Sequence, residues 1–417
     1  MKCRHCKTQL TETILDLGTA PPSNAYITQD GLNSVEPYYP LRILVCTNCW
    51  LVQTEDFADA ETLFSHDYAY FSGFSSTWHK HVEEYVKNII KRFSLDSKSK
   101  FVEIASNDGT LLEYVRDHDI PCLGIEPTAS TAKAARGKGL RIVETFFGAS
   151  TAKHLSVNGD SADAIAANNV LAHVPDINDF VDGCRTLLKP KGLVTFEFPH
   201  ILNLVKKNQF DTIYHEHFSY LSLIAVSNIC QTNGLHVFDV EKITTHGGSL
   251  RVYAQRKDTL HHRESVRVQD LIQYEKDCGL QCLAGYSHLQ GKSESIKDDF
   301  VDFLIKSKKQ GKTVCGYGAA AKGNTLLNFA GIRQDLLQCV ADKNPSKQGK
   351  FLPGSRIPIC DEAELLNRSP NVIVILPWNL RNEVIEQLSH LRDNGCEFVT
   401  VIPELKVFSL STEAQVA

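Results

Sequence analysis

Apolar and polar positions alternate between helical and strand spacing through the middle of the chain. Apolar side chains recur at helical spacing over residues 76–93, and a serine at position 75 or 76 precedes them as a cap. Short apolar runs of strand length follow at residues 101–105, 122–125, 163–167 and 193–198. A helix at 223–231 and a hairpin with strands 235–240 and 249–255 close the pattern. Helices that alternate with strands predict a doubly wound α/β sheet with one antiparallel strand.

The turn after the first of these strands bears on the ligand of this sheet. It contains Gly109 but lacks the GxGxxG pattern of dinucleotide enzymes. Glu126 ends the second strand, where a carboxylate is placed to accept hydrogen bonds from ribose hydroxyls. Glu103 and Asp108 would repel a pyrophosphate but suit a ligand with a cationic amino-acid end. The pattern predicts a class I S-adenosylmethionine methyltransferase sheet rather than a nicotinamide site, and an unliganded α/β domain is the alternative.

The apolar pattern resumes near the C-terminus with runs of strand length. They lie at 312–316, 337–341, 372–376 and 398–402. Gly316, Gly318 and Gly323 follow the first run, and Lys322 adds a positive charge. These glycines allow a tight strand-to-helix turn that faces a phosphate, although their spacing departs from the dinucleotide fingerprint. We expect a second, Rossmann-like α/β domain here, with or without a phosphate site.

Two CxxC pairs stand at the N-terminus, Cys3 with Cys6 and Cys46 with Cys49. Each pair places two sulfurs on one turn, and together they supply four thiolates for a closed tetrahedral zinc site. Such a site stabilises a fold and leaves no open position for catalysis. Redox pairs and unrelated thiols are the alternatives, and a nucleic-acid-binding zinc module is disfavoured because the intervening segment is poor in basic residues.

Length and composition fit a multidomain enzyme. A chain of 417 residues exceeds one compact core. We expect a zinc domain at 1–65, a methyltransferase domain at 66–260, a helical connector at 261–310 and the Rossmann-like domain at 311–417. The net charge of −5 argues against a nucleic-acid partner, and no apolar run reaches membrane-span length. Thirteen cysteines without an export signal indicate a reducing cytoplasm.

The segment FDTIYHEHFSYLS, residues 210–222, concentrates titratable groups. In an extended strand, His215 and His217 would face one side while Tyr214 and Glu216 face the other, so a shared site needs a turn. A metal-dependent hydrolase could use the two histidines as an H-x-H pair, although the spacing differs from that of the HExxH helix motif. A non-catalytic scaffold that binds zinc and nucleotides is the other alternative.

The order of the motifs resembles a known family, the C-methyltransferases that act on C3 of nucleotide-linked 4-keto deoxysugars. The motifs that carry the resemblance are CRHC, CTNC, LDLGTAPPSNAY, DYAYFSGFS, VEIASNDGTLL, GIEP, AANNVLAHVPD, FDTIYHEHFSYLS, THGGSLR, GYGAAAKG and LPG. The resemblance spans nearly the whole chain. It implies S-adenosylmethionine as cofactor, structural zinc, a dTDP-linked sugar as acceptor, and a C-terminal domain that helps to hold the nucleotide. We expect a monomer or a weak homo-oligomer.

Carried over position by position, the family's sugar-site residues fall on Tyr68, His173, Tyr214, Glu216 and His217. The residues that the resemblance places at the methyl donor are Ser106, Asn107, Asp108, Gly109, Glu126, Pro127 and Asn168. His215 inherits no role.

Methylation at carbon needs a base, because carbon offers no lone pair until a proton beside the ketone is removed. We expect His217 to be this base, with Tyr68, Tyr214 and His173 as donors to the developing oxyanion. Glu216 is expected to orient a histidine or bind a hydroxyl.

Two residues of the closing hairpin are candidates for the acceptor site, together with Lys322 of the glycine-rich loop. His246 binds the acceptor or only completes the hairpin turn. Arg251 pairs with a diphosphate or is a solvated strand arginine.

Overall fold

The computed structural model describes residues 1–57, 73 and 76–409. Its first strands are β1 (Glu12–Ala20), β2 (Tyr39–Val45), β3 (Val52–Thr54), β4 (Phe101–Ile104), β5 (Cys122–Ile125), β6 (Ile142–Val143), β7 (Ala162–Asn168), β8 (Leu188–Pro199) and β9 (Ser219–Tyr220). The remaining strands are β10 (Leu235–Ile243), β11 (Ser249–Arg256), β12 (Val314–Tyr317), β13 (Val340–Ala341), β14 (Ile359–Cys360), β15 (Val372–Ile375), β16 (Glu397–Thr400) and β17 (Lys406–Phe408).

The described α-helices pack between and beside these strands. They are α1 (Ser76–Phe93), α2 (Thr110–Arg116), α3 (Ala129–Gly137), α4 (Ala149–Val157), α5 (Ile177–Leu187), α6 (Ile201–Lys207) and α7 (Leu223–Thr232). The later ones are α8 (Val266–Asp277), α9 (Leu289–Lys309), α10 (Ala321–Phe329), α11 (Glu362–Asn367), α12 (Arg381–Gln387) and α13 (Ser389–Asp393). In this part of the chain, no helix combines the length and the apolar character that a membrane span requires.

The central sheet has seven strands in the order β10-β11-β8-β7-β4-β5-β6 among the described residues. Strand β11 runs antiparallel to β8 and to β10, and the other pairs are parallel. The predicted doubly wound sheet with one antiparallel strand is therefore confirmed. Helix α1 has the predicted bounds because its apolar stripe, which includes Val82, Tyr85 and Val86, is buried against this sheet.

The C-terminal sheet has the order β14-β13-β12-β15-β16-β17, in which only β17 is antiparallel over the described pairs. This is the predicted second Rossmann-like unit. Strand β13 is shorter than the predicted 337–341, and β17 was not predicted. Helices α8 and α9 occupy much of the segment expected to connect the two sheets.

The N-terminal sheet determines where the FDTIYHEHFSYLS segment lies. Its order is β1-β2-β3-β9, and β9 comes from that segment. Val52 and Gln53 of β3 pair antiparallel with Tyr220 and Ser219. The segment is thus an edge strand of the cysteine-containing domain, although more than 160 residues separate it from β3 along the chain.

Candidate functional site

The four cysteines of the two CxxC pairs converge on one point. The Sγ atoms of Cys3 and Cys49 are 3.5 Å apart, as are those of Cys6 and Cys46. All four sulfurs lie within 4.8 Å of one another, and none is in a disulfide. Thiolates that share a tetrahedral zinc ion at about 2.3 Å lie about 3.8 Å apart, so this donor set fits structural zinc.

The turn between β4 and α2 forms one wall of the predicted donor site. Gly109 has a φ of 77°, and a Cβ there would lie 2.3 Å from Cδ1 of Leu140, so only glycine fits. The carboxylate of Glu126 accepts hydrogen bonds from the backbone N–H groups of Asn107 at 2.8 Å and Thr128 at 2.9 Å. Glu126 therefore fixes this turn, and its remaining lone pairs can accept hydrogen bonds from a ligand.

Several buried polar atoms meet at the carboxyl ends of β4 and β7. Within the described residues, no hydrogen-bond partner is found for Oε2 of Glu103, Oγ of Ser106, both amide atoms of Asn168, or Oδ1 of Asn169. Buried polar atoms are rarely left unpaired, so this group indicates a ligand site. Burial raises the pKa of Glu103 well above its usual value, and Asp108 and Glu126 raise it further. A polar ligand with a cationic end would relieve this repulsion, which fits S-adenosylmethionine.

The other predicted donor residues lie in the same two turns. Pro127 is half-buried directly after Glu126. Asp108 accepts hydrogen bonds from Oγ1 of Thr110 at 2.7 Å and from the backbone N–H of Gly73 at 3.1 Å. Asp108 therefore holds Gly73, which belongs to the DYAYFSGFS motif, beside the donor turn.

A turn brings Tyr214 and His217 onto the same side. A 3₁₀-helix at Phe210–Thr212 precedes it, and the backbone N–H of His217 donates to the carbonyl of Tyr214 at 2.9 Å. The hydroxyl of Tyr214 lies 2.8 Å from Nε2 of His217, and the two ring centroids are 4.0 Å apart. In an extended strand these two side chains would face opposite sides, so the sequence analysis expected such a turn if they share a site.

The hydrogen bonds of His217 fix its tautomer. Nδ1 lies 2.9 Å from the carbonyl oxygen of Thr212, which can only accept, so the proton is on Nδ1. Nε2 therefore carries the lone pair and accepts from the hydroxyl of Tyr214. Burial, followed by the nearby His173, lowers the pKa of His217 well below its usual value. The imidazole is neutral at pH 7, and its lone pair is available as a proton acceptor.

His173 lies against the same ring. Its ring centroid is 4.6 Å from that of His217, and its Nδ1 donates to the backbone carbonyl of Glu216 at 2.9 Å. Burial lowers the pKa of His173 to about 4. The structure thus brings together His173, Tyr214 and His217 from two distant motifs.

Glu216 is held from the N-terminal domain. Its Oε2 accepts a hydrogen bond of 2.6 Å from Nδ2 of Asn24, and its side chain is buried. The hydroxyl of Tyr26 donates to the carbonyl of Ala319, in the glycine-rich loop of the C-terminal sheet, at 2.6 Å. Sequence reasoning did not single out Asn24 as a partner of Glu216, although the LDLGTAPPSNAY motif that contains it was noticed.

Lys322 and His246 lie close to the same histidines. The charge of Lys322 contributes to lowering the pKa of both His217 and His246, and burial is the main cause for each; His246 reaches about 4. Nζ of Lys322 donates to Oδ1 of Asn379 at 2.7 Å and lies 4.7 Å from the ring centroid of Trp378. Trp378 was not predicted to take part.

Asp211 adds a carboxylate to this cluster. Burial raises its pKa to about 6, against the lowering effects of Lys322 and of the Trp378 indole. The N–H of that indole donates to Oδ2 of Asp211 at 2.7 Å. Asp211 lies within the quoted FDTIYHEHFSYLS segment, and its position there was the only sequence signal for it.

Arg251 is buried, so the alternative of a solvated strand arginine is wrong. Its Nη2 donates to Oε2 of the buried Glu197 at 2.8 Å and lies 3.2 Å from Nε2 of His81. Its guanidinium also covers the ring of Tyr85 at 4.5 Å. A contact with a diphosphate remains a prediction for Arg251, whose charge is already paired with Glu197.

His215 and Tyr68 complete the predicted residues. Nε2 of His215 lies 3.2 Å from the carbonyl of Pro40 and so points toward β2. Over the described ranges, the four cysteines form the one cluster of three or more His, Cys, Asp or Glu side chains with metal-binding geometry. The H-x-H metal site of a hydrolase is therefore not formed in this part of the chain. Tyr68 lies outside the described residues.

Comparison with known proteins assigns each part of the chain. Residues 3–64 match a family model for a proposed zinc binding domain, residues 78–240 match a methyltransferase domain, and residues 244–403 match a C-methyltransferase C-terminal domain. The C-methyltransferase NovU of Streptomyces niveus is 30% identical over 408 residues, which cover 98% of this chain and 97% of that protein.

More distant similarities are confined to part of the chain. A ubiquinone biosynthesis O-methyltransferase of Chelativorans sp. (strain BNC1) is 28% identical over 115 residues, or 26% of this chain and 46% of that protein. The magnesium protoporphyrin IX methyltransferase of Synechocystis PCC 6803, solved with bound SAH, is 13% identical over 43% of this chain and 83% of its own, with a TM-score of 0.34. The CcbJ methyltransferase of Streptomyces caelestis is 11% identical over 42% of this chain and 89% of its own, also with a TM-score of 0.34. Both scores are low and add nothing to the sequence matches.

Proposed function

This chain belongs to the C-methyltransferase family, and on that premise we propose that it methylates C3 of a nucleotide-linked 4-keto-6-deoxy sugar. Membership of the family makes the protein an S-adenosylmethionine-dependent C-methyltransferase. The sugar, the position of methylation and the roles of individual residues are the proposal.

One observation carries the proposal, namely a buried neutral imidazole whose lone pair is held toward a tyrosine hydroxyl. Oxygen and nitrogen acceptors already have a lone pair, whereas a carbon beside a ketone must first lose a proton. Nε2 of His217, 2.8 Å from the hydroxyl of Tyr214, is a proton acceptor of the kind that this step needs.

The residues that would hold the methyl donor are those of the β4 and β5 turns, with Glu126 on the ribose and Glu103 near the cationic end. When bound, S-adenosylmethionine supplies a methyl group on a positively charged sulfur. The unpaired atoms of Ser106 and Asn168 gain partners from such a ligand in this arrangement.

We assign proton transfer to the Tyr214–His217 pair. Nε2 of His217 accepts the proton of C3, directly or through the hydroxyl of Tyr214, while the C3–H bonding electrons form the enolate with the ketone. The carbonyl of Thr212 stabilises the resulting imidazolium by accepting from Nδ1–H. A developing negative charge on the acceptor raises the proton affinity of the imidazole, which compensates for its low pKa in the empty site.

Lys322 is the candidate to stabilise the enolate oxygen. The neutral His173 ring cannot be the oxyanion donor that the sequence analysis expected, because its one N–H donates to the carbonyl of Glu216 and its Nε2 can only accept. His173 lies against the ring of His217, and its Nδ1–H is fixed by the carbonyl of Glu216, so the ring has one defined orientation. Lys322 contributes a positive charge from the C-terminal domain. The enolate electrons at C3 would then form the bond to the methyl carbon as the methyl–sulfur bond of the donor breaks, the C4 ketone would re-form, and the proton would stay on His217 until the product and the demethylated donor leave.

The experiment is mass spectrometry of dTDP-4-keto-6-deoxy sugars after incubation with the enzyme and a donor that carries a trideuterated methyl group. We expect one CD₃ group at a carbon, with the C3 proton lost to solvent. A label on oxygen or nitrogen, or no label on any 4-keto sugar nucleotide, would reject the proposed substrate class.

A further inference from the structure

Helix α8, in the segment that the sequence analysis expected to be a connector, buries one carboxylate completely. This is the side chain of Glu275. A buried carboxylate is stable only when hydrogen-bond donors replace the water that it has lost. Three donors do so here, namely Nε2 of His200 at 2.7 Å and the backbone N–H groups of Leu223 at 2.7 Å and Ile224 at 2.9 Å. All three come from outside α8, so this carboxylate joins the connector to two other parts of the chain.

Two of the three donors are the first N–H groups of α7. The first turn of a helix leaves four N–H groups without partners inside the helix. Oγ of Ser222 accepts from the N–H of Ala225 at 3.0 Å, and Glu275 supplies acceptors for the two N–H groups before it. A negative charge at this end of a helix also interacts favourably with the helix dipole. Glu275 therefore fixes the point at which the FDTIYHEHFSYLS segment ends and α7 begins.

The third donor, His200, lies at the other end of the same loop of the chain. It directly follows β8 and precedes α6, which leads into the FDTIYHEHFSYLS segment. His200 forms a parallel bridge with Leu221, and the N–H of Ile201 donates to the carbonyl of Leu221 at 3.0 Å. The chain thus leaves the central sheet at His200 and returns beside it at Leu221. We call His200, Leu221, Leu223 and Ile224 the neck of this loop.

The turn that carries His246 is attached to the same neck. The backbone N–H of His200 donates to the carbonyl of Gly248 at 3.1 Å, and Nδ2 of Asn203 donates to the same oxygen at 3.0 Å. The loop that contains the proposed base and the turn that contains His246 therefore both depend on where His200 lies. Glu275 holds His200 by its side chain, because an ionised carboxylate only accepts and Nε2 of the imidazole must donate to it.

We propose that Glu275 is a positioning residue for methyl transfer, which holds the neck so that the loop with His217 and the turn with His246 keep a fixed relation to the methyl donor. This inference rests on the proposed function, in which His217 is the base. The partners of Glu275 are distinct from the donor-site residues, so its loss acts on the alignment of the base and leaves the donor turns in place. Misplacement by about 1 Å of groups that must be aligned can lower a rate about 10²-fold.

The test compares Glu275→Ala and Glu275→Gln with the control Asp160→Ala. Asp160 is also a buried carboxylate, held by Lys100 at 2.9 Å and Arg141 at 2.6 Å, but it precedes β7 at the edge of the sheet opposite the donor turns. We expect Glu275→Ala to lower kcat about 100-fold and to leave the Kd of S-adenosylhomocysteine within about twofold, whereas Asp160→Ala keeps the wild-type kcat. Glu275→Gln retains the size of the side chain but one acceptor oxygen in place of two, so its kcat should be about tenfold below wild type.

A second measurement does not depend on the acceptor. NMR of protein with ¹⁵N-labelled histidine reports the hydrogen bond from Nδ1–H of His217 to the carbonyl of Thr212, and the His217→Asn variant identifies its signal. We expect this signal in wild type, Glu275→Gln and Asp160→Ala, and its loss in Glu275→Ala.

The two measurements separate the positioning role from the proposed function. Loss of the His217 signal in Glu275→Ala, without methylation of any 4-keto sugar nucleotide by the wild type, would keep the positioning role and reject the proposed function. Methylation by the wild type with an unchanged kcat in Glu275→Gln would keep the function and overturn the positioning role, even if Glu275→Ala does not fold. Equal losses of kcat in Glu275→Ala and Asp160→Ala, or a parallel loss of donor binding in Glu275→Ala, would show that Glu275 only stabilises the fold and would also overturn the proposal.

Discussion

The guanidinium of Arg4, inside the first CxxC pair, donates from Nε to the backbone carbonyl of Phe218 at 3.0 Å. Phe218 directly follows His217, and the guanidinium also donates to the carbonyls of Thr54 at 2.8 Å and Pro175 at 3.4 Å. Pro175 is two residues beyond His173. One buried arginine therefore connects the zinc domain to both segments that carry the histidines.

Replacement of Arg4 is expected to impair turnover more than donor binding. Arg4→Ala removes these hydrogen bonds and leaves Asp56, which Arg4 contacts at 2.6 Å, without its partner. The unpaired buried carbonyls cost about 1–3 kcal/mol each, whereas Asp56 is 53% exposed and loses little with its partner, and the displaced carbonyls shift both histidines. Calorimetric binding of S-adenosylhomocysteine and measurement of kcat would show whether the loss is confined to turnover.

Arg42 provides the control for this prediction. It lies in the same domain and pairs with Glu55, but its side chain is 40% exposed. Arg42→Ala should cost less than about 1 kcal/mol and leave kcat unchanged. Parallel loss of donor binding and kcat in Arg4→Ala, or a wild-type kcat, would contradict a positioning role.

What the sequence predicted well is local in character. The helical period of residues 76–93 and the spacing of the CxxC pairs involve neighbours along the chain, so the α1 helix and the cysteine cluster followed from pattern alone. The contacts that the sequence did not predict join distant positions. The Arg4–Phe218 pair spans 214 residues, Asn24–Glu216 spans 192, and Trp378–Asp211 spans 167. No local periodicity encodes which loops of different domains meet.

Glu126→Gln is expected to weaken binding of S-adenosylmethionine by about 10- to 100-fold, because hydrogen bonds to a charged acceptor contribute about 1.5–3 kcal/mol. The amide retains the size of the carboxylate, so the contact with the backbone N–H of Thr128 can persist. Glu144→Gln is the control, since Glu144 is exposed and pairs with Arg136. Isothermal titration measures the affinity of both variants for S-adenosylmethionine. Equal affinities would show that Glu126 does not bind the ribose.

His217→Asn is expected to abolish most of the turnover and leave donor binding intact. Asparagine can still donate to the carbonyl of Thr212 but cannot accept a proton, and general bases contribute about 10²- to 10⁴-fold. Because burial lowers the pKa of His217, the wild-type kcat/KM should hold as the pH falls through 6.5. A decline centred on 6.5 would indicate a solvated base elsewhere. Tyr214→Phe removes only the hydroxyl. Turnover that depends on this hydroxyl would indicate that the proton passes through Tyr214, and turnover that does not would indicate direct transfer to His217.

Acid should destabilise the protein partly through His173. Its pKa is about 4 in the folded chain and 6.5 without burial, so the unfolded chain binds the proton more tightly. The stability that the neutral ring provides is complete above pH 6.5 and is lost as the pH falls toward 4. At pH 5 the loss is about 2 kcal/mol. Urea unfolding at pH 7.5 and pH 5 should therefore show a smaller drop for His173→Asn than for wild type, and equal drops would show that His173 is not buried neutral.

Loss of zinc is expected to disable catalysis through the fold, because the N-terminal sheet includes strand β9 of the catalytic segment. Cys46→Ser removes one of four thiolates, and binding energy of structural zinc is folding energy for the domain that holds it. Metal content should fall, and the melting temperature and kcat should fall with it, whereas Cys282→Ser, at an exposed cysteine, should change none of the three. Elemental analysis, thermal unfolding and the methylation assay on the same preparations test this. A Cys46→Ser protein that loses its zinc but keeps wild-type kcat would show that the β3–β9 pairing stands without the metal, and the zinc domain would then have no part in holding His217.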